Sequence, residues 1–140
     1  MPQSQLPHQH DAARKYAFYP GCTLHSTGVE FGASTKMVCD ALGLELVEID
    51  DWNCCGATEY FSQDELVACS VVARNLALVE SGVDQLVAPC AACYLNLKKT
   101  DHLMIEDPKM NARILTPLGS SQSGSITGFW LAGAVNRALG

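Results

Sequence analysis

Short apolar runs alternate with longer amphipathic ones along this chain. In "KYAFYPGC" the residues Tyr16, Ala17 and Phe18 suit a buried or half-buried strand, which Pro20 and Gly21 stop. From about Glu30 to Leu42, Phe31, Ser34 (weakly), Val38, Ala41 and Leu42 recur at helical spacing, and Gly43 fits the position just past a helix end. "LELVEID", residues 44–50, predicts a second strand with imperfect alternation. "SQDELVACSVVARNLALVESG" gives the clearest helix. Its stripe is Leu66, Cys69, Val72, Ala73, Leu76 and Val79, Ser62 and Glu65 read as a capping box, and Gly82 ends it. Val83 to Ala88 predicts a third strand, stopped by Pro89, and "AACYLNLKKT" opens another helix with Lys98 and Lys99 suited to its C-terminal end.

The order βαβαβα predicts an α/β fold, Rossmann-like, with a small parallel sheet and right-handed crossovers. Residues 1–14 are polar and aperiodic and read as a disordered tail, in which His8 and His10 are solvated. Residues 15–107 form the expected domain. Residues 108–140 read as a linker, Gly- and Ser-rich at 118–128, followed by the apolar "FWLAGAVNRALG", expected as a short helix docked on the core.

With 140 residues the chain has the size of one domain and can bury a core without staples. A net charge of −6 argues against nucleic acid, whose phosphates call for a basic face. No run of about 20 apolar residues is present to span a bilayer, and the N-terminal stretch lacks the apolar segment of an export signal. The expected compartment is therefore the cytoplasm. There the seven cysteines point to metal or redox chemistry rather than to a disulfide framework.

On the predicted order, Cys22 follows strand one, Cys54 and Cys55 follow strand two, and Cys90 and Cys93 follow strand three. Strands of a parallel sheet share one carboxyl edge, where open α/β folds hold ligands. Five thiols from three distant stretches should therefore meet. Cys39 and Cys69 fall inside helices and are expected in the core, since a buried free cysteine acts as a small hydrophobe.

Three chemistries suit such a set. Zinc takes four ligands, with paired Cys-x-x-Cys motifs the usual source, but only "CAAC" has that form here. The same "CAAC" at a helix start is also the arrangement of a dithiol oxidoreductase, which has no need of the other three cysteines. A multi-iron cluster accommodates adjacent cysteines on different irons or as bridging and terminal ligands. In that reading Gly56 leaves room for backbone and sulfide to approach; a simple turn glycine is the plainer alternative. His25 and Glu59 lie near the motif and are expected as surface residues, while Trp52 and Tyr60 shield the site or pack the core.

The full pattern, Cys22, then Cys54-Cys55-Gly56, then Cys90-Ala91-Ala92-Cys93, resembles the cysteine-rich CCG domain, most closely the B-type subunits of heterodisulfide reductase. "YPGCTLHSTG", "ALGLELVEIDDWNCCGAT" and "APCAACYLNLKKT" carry the likeness, which runs from about Lys15 to Thr100. The resemblance implies a noncubane [4Fe–4S] cluster with Cys22, Cys54, Cys55, Cys90 and Cys93 as ligands. It also implies an oxidoreductase component that cleaves or forms a thiol disulfide while electrons arrive singly. The implied partners are iron–sulfur C-type and flavin A-type subunits and the thiol or disulfide substrate. Typical members carry two CCG motifs in a chain about twice as long, whereas only one motif occurs here. The expectation is thus either half of such a protein, inactive when isolated, or a one-motif form that makes a homodimer or borrows its second site. A non-catalytic electron-transfer module and a structural zinc domain stand as alternatives.

Overall fold

The computed structural model describes residues 14–79, 83 and 85–119, and the backbone of 127–130. Ten elements follow in order: β1 Arg14–Phe18, α1 Gly21–Leu24, α2 Val29–Ala41, β2 Leu44–Glu48, α3 Glu59–Gln63, α4 Glu65–Ala77, β3 Gln85–Ala88, α5 Ala91–Glu106, α6 Pro108–Leu118 and β4 Thr127–Trp130. The sheet order is β2-β1-β3-β4. Every pairing is parallel, with Phe18 opposite Glu48 on one side and Val87 on the other. The α/β, Rossmann-like architecture expected from the sequence is therefore present, with one more strand. Among the described residues no helix is long and apolar enough to cross a membrane.

Alternation along β1 divides the core. Tyr16 and Phe18 pack with Leu24, Cys39, Leu44 and Val87. Ala17 and Tyr19 pack with Ile49, Cys55, Val72, Leu86, Ala88, Cys93 and Leu97. Cys39 and Cys69 are fully buried, and burial raises both thiols, which keeps them neutral within their helices.

Three local features differ from the sequence-based expectation. The face that α2 buries is Gly32, Thr35 and Cys39, while Phe31 and Val38 are about half exposed (50% and 48%). The sheet already supplies the bulky Tyr16 and Phe18, so the helix approaches on its small residues, Gly32 lying against Leu24. The cap of α4 is Asp64, whose carboxylate accepts from Val67 N. Ser62 sits in the separate short helix α3 and donates to Glu59 O. Helix α5 runs on to Glu106, so Lys98 and Lys99 lie in its middle, where Lys99 pairs with Glu65 and covers the Phe61 ring.

Residues 108–118, read as the start of a linker, form α6. Asp107 caps it by accepting from Lys109 N and Met110 N, Pro108 opens it, and Gly119 closes it in the left-handed conformation. Ile114 carries α6 into a third cluster with Cys69 and Ala73. Residues 127–130, placed partly in the linker and partly in a helix by the sequence pattern, are strand β4. The expected tail 1–14, apart from Arg14, the expected helix stop at Gly82 and the rest of the apolar end lie outside the described residues.

Asp64→Ala should cost about 1 kcal/mol of stability in urea unfolding, the usual worth of an N-cap. Ser62→Ala should stay within about 0.5 kcal/mol. Ile114→Ala should cost about 2–5 kcal/mol, as expected for a truncated core side chain.

Candidate functional site

The sheet order fixes where the site lies. The chain leaves β1 toward β2 on one side and leaves β3 toward β4 on the other, so a switch point opens between the carboxyl ends of β1 and β3. Cys22 sits in α1 directly beyond β1, Cys90 caps α5 directly beyond β3, and Cys93 lies in the first turn of α5. The segment after β2 crosses back over the end of β1, where Ile49 N donates to Phe18 O at 3.0 Å. It brings Cys54 and Cys55 to the same crevice.

The thiols named from the sequence meet there as two close pairs, with Cys90 beside one of them. Cys54 Sγ lies 3.8 Å from Cys22 Sγ, and Cys55 Sγ lies 3.5 Å from Cys93 Sγ. The adjacent cysteines therefore serve two different partners. Cys90 adjoins Cys93, its thiol contributing to that group's raised pKa. Cys22 is exposed, Cys54 and Cys90 are half-buried, and Cys55 and Cys93 are buried. All seven cysteines are free thiols.

Electrostatics separate the deep pair. Cys55 is lowered to about 6, first because the Cys93 thiol donates to it, then through donation from the Ala57 and Cys55 amides and the Asn96 carboxamide. Cys93 is correspondingly raised and keeps the shared proton. Burial raises Cys54, and the Gly56 amide, 3.4 Å from its sulfur, partly offsets that.

Glycines make the close approaches possible. Gly21 has a φ of +74°, and a Cβ there would stand 2.9 Å from Cys93 Sγ. The sequence pattern assigned it only a strand-stopping role. Gly56 has a φ of +75°, and the space a Cβ would take is filled by the Tyr60 ring. Its room is thus used by Tyr60 packing under the loop.

Several residues at the site carried no signal in the cysteine pattern. Tyr19 is fully buried and donates its hydroxyl to Asn53 O at 2.8 Å. Burial and the four thiols Cys93, Cys55, Cys54 and Cys22 raise its pKa, so it remains a donor. Asn75, fully buried on α4, accepts from Asn53 N and donates to Asn53 O, both at 2.8 Å. Asn96 on α5 donates to Ala57 O at 2.7 Å and Cys55 O at 3.4 Å. Arg74 donates to Asp51 O at 2.7 Å and Asn53 Oδ1 at 3.0 Å, and pairs with the Asp51 carboxylate. The available signal was polar: Asn75 interrupts the apolar run of α4, and Asn96 stands between Leu95 and Leu97.

His25 is an exposed residue that hydrogen-bonds Glu48 at 3.0 Å and lies against Trp52. Trp52 donates to the same Glu48 oxygen and meets the Tyr19 ring edge-on, shielding one side of the site. Glu59 is exposed in the first turn of α3. An open depression lined by Asn53, Tyr60, Val67, Val71 and Arg74 borders Cys54.

Comparison with known proteins finds relatives over much of this chain. The 8-methylmenaquinol:fumarate reductase membrane anchor subunit of Wolinella succinogenes is 36% identical over 86 residues, covering 61% of this chain and 30% of that protein. A heterodisulfide reductase B-subunit-like protein of Archaeoglobus profundus is 31% identical over 115 residues, covering 79% of this chain and 38% of that protein. The chain thus spans less than two-fifths of the length of either relative. The family described as "Cysteine-rich domain" (CCG) matches residues 16–98, which takes in all five site thiols and more than half of the sequence; the chain belongs to the CCG cysteine-rich domain family.

Proposed function

We propose that this chain is an iron–sulfur redox subunit of heterodisulfide reductase type, in which Cys22, Cys54, Cys55, Cys90 and Cys93 hold a noncubane [4Fe–4S] cluster. The observation that carries the reading is the divergence of Cys54 and Cys55 toward two different thiol partners in one crevice. Family membership and the two reductase-related relatives support it. The residues present fit such a group. All five donors are sulfur, Gly21 leaves Cys93 uncrowded, and backbone amides face Cys54 and Cys55. When bound, the cluster would pass electrons one at a time, giving them to a disulfide as it is cleaved and taking them from thiols as a disulfide forms.

The chain's own residues prepare that chemistry. Cys55 is the readily ionised thiol, and the amides of Cys55 and Ala57 with the Asn96 carboxamide stabilise its charge. Tyr19 and Trp52 close the site on the protein side, which excludes water from the deep pair. The exposed Cys22 and the half-buried Cys54 mark the side open to a thiol or disulfide substrate. Partner subunits of the reductase kind supply or remove the electrons. A second reading is a module that only relays electrons, favoured by the burial of Cys55 and Cys93 in the core cluster with Tyr19.

Anaerobic reconstitution should give brown protein with about four irons per chain. Colourless protein with one zinc would overturn the assignment in favour of a structural zinc domain. Cys54→Ser and Cys55→Ser should each abolish iron retention, whereas Cys39→Ala should keep it; iron analysis beside circular dichroism reads both. Adding a small organic disulfide to the reduced, iron-loaded protein should change its EPR spectrum. An unchanged spectrum selects the relay module over direct disulfide chemistry.

A further inference from the structure

The carbonyls of the segment from Asn53 to Ala57 are taken up by donors other than the thiols, while the Gly56 amide is turned toward a sulfur. Asn53 O accepts from Tyr19 and Asn75, and Cys54 O accepts from the Asn53 side chain at 3.0 Å. Cys55 O and Ala57 O both accept from Asn96. Gly56 O accepts from Glu59 N and Tyr60 N. On the other side, the Gly56 amide faces Cys54 Sγ at 3.4 Å. Gly56 and Ala57 both have positive φ, +75° and +46°, and Asp51 at the start of the loop has +55°. For Ala57 and Asp51 that conformation is costly and persists only where surrounding contacts impose it.

Arg74 holds Asp51, and two buried asparagines on two helices hold the rest of the loop, Asn75 at Asn53 and Asn96 at Cys55 and Ala57. Asn75 contributes an acceptor and a donor to the peptide groups of one residue, Asn53, as a neighbouring strand does. Asn96 holds the far end. Without these partners Cys55 O and Ala57 O lose their donor and Asn53 O keeps only the Tyr19 hydroxyl, so those peptide units are free to turn. Each turn replaces an amide proton facing a sulfur with a carbonyl oxygen. Successive amides in a turn form an anion-binding concavity, and hydrogen bonds to sulfur set the potential of a sulfur-ligated centre.

We infer that Asn75 and Asn96 are positioning residues that lock the Cys-Cys-Gly loop with its amides toward the thiolates, and so set the redox poise of the group held there. The part concerning redox poise rests on the iron–sulfur reading; the part concerning loop orientation does not. Donors to sulfur favour the more negative, reduced form, so losing them lowers the potential.

The test uses the full chain with Asn96→Leu and Asn75→Leu, and Ile114→Ala as a control for general loss of stability, since Ile114 lies in a separate cluster. In iron-loaded protein, an EPR-monitored redox titration should give a midpoint more negative than wild type for both asparagine variants, with an altered EPR signature, and an unshifted midpoint for Ile114→Ala. In the metal-free protein, hydrogen exchange at residues 54–57 should speed up at least tenfold in the asparagine variants relative to β1 and β3. Unchanged loop exchange overturns the inference whether or not iron binds. An unshifted midpoint with an unchanged signature overturns it as well, as does an equal shift in Ile114→Ala. Wild-type protein that takes up no iron refutes the iron–sulfur reading instead and leaves the exchange measurement to decide the loop clamp.

Discussion

Two neighbouring side chains can reach two different partners only if the peptide units around them are fixed. That constraint governs the site. Cys54 turns to Cys22 and Cys55 to Cys93 because Asn53, just ahead of them, is bonded through both its amide and its carbonyl to Asn75. A hydrogen-bonded polar side chain in a core contributes little net stability, but leaving its partners unpaired there is expensive. The pairing of Asn75 with Asn53 thus acts chiefly as specification: it excludes alternative loop conformations that would otherwise cost little.

The sheet order supplies the rest of the placement. The crevice opens between β1 and β3, and both flanking turns deliver cysteines to it directly. The strand β2 is one place removed, so its loop must travel back across the end of β1. Tyr19, the first residue past β1, receives that loop with its hydroxyl and covers the deep thiols with its ring. One side chain therefore links the backbone of the loop after β2 to the deep sulfurs of Cys55 and Cys93.

Much of this was legible in the sequence because it rests on periodicity and on rare residues. Apolar runs bounded by Pro20, Gly43 and Pro89 marked the three strands, and the position of each cysteine behind a strand indicated a common edge. What escaped notice depended on tertiary fit. The buried side of α2 is its small side because Tyr16 and Phe18 fill the space, so the apolar stripe containing Phe31 and Val38 misled. Helix α6 was announced by Asp107 and Pro108, a cap and a first-turn proline, but its outer positions are polar and Pro117 falls within it. Strand β4 lies beyond a Gly- and Ser-rich stretch and takes its conformation from pairing with β3. Asn75 and Asn96 looked like ordinary polar helix positions, because only the loop packed against them gives them a role.

The thiols reach the crevice from three stretches distant in the chain, which has a consequence for assembly. No local segment brings Cys22, Cys54 and Cys93 together; they become neighbours only after β2 and β3 have both paired with β1. Anything gripped by all three stretches then closes two long loops at once, as a cross-link would. Its binding energy accrues to the folded chain alone, so unfolding must release the guest or carry it on a scaffold unable to surround it. The crevice therefore ties the lifetime of the fold to the retention of its contents.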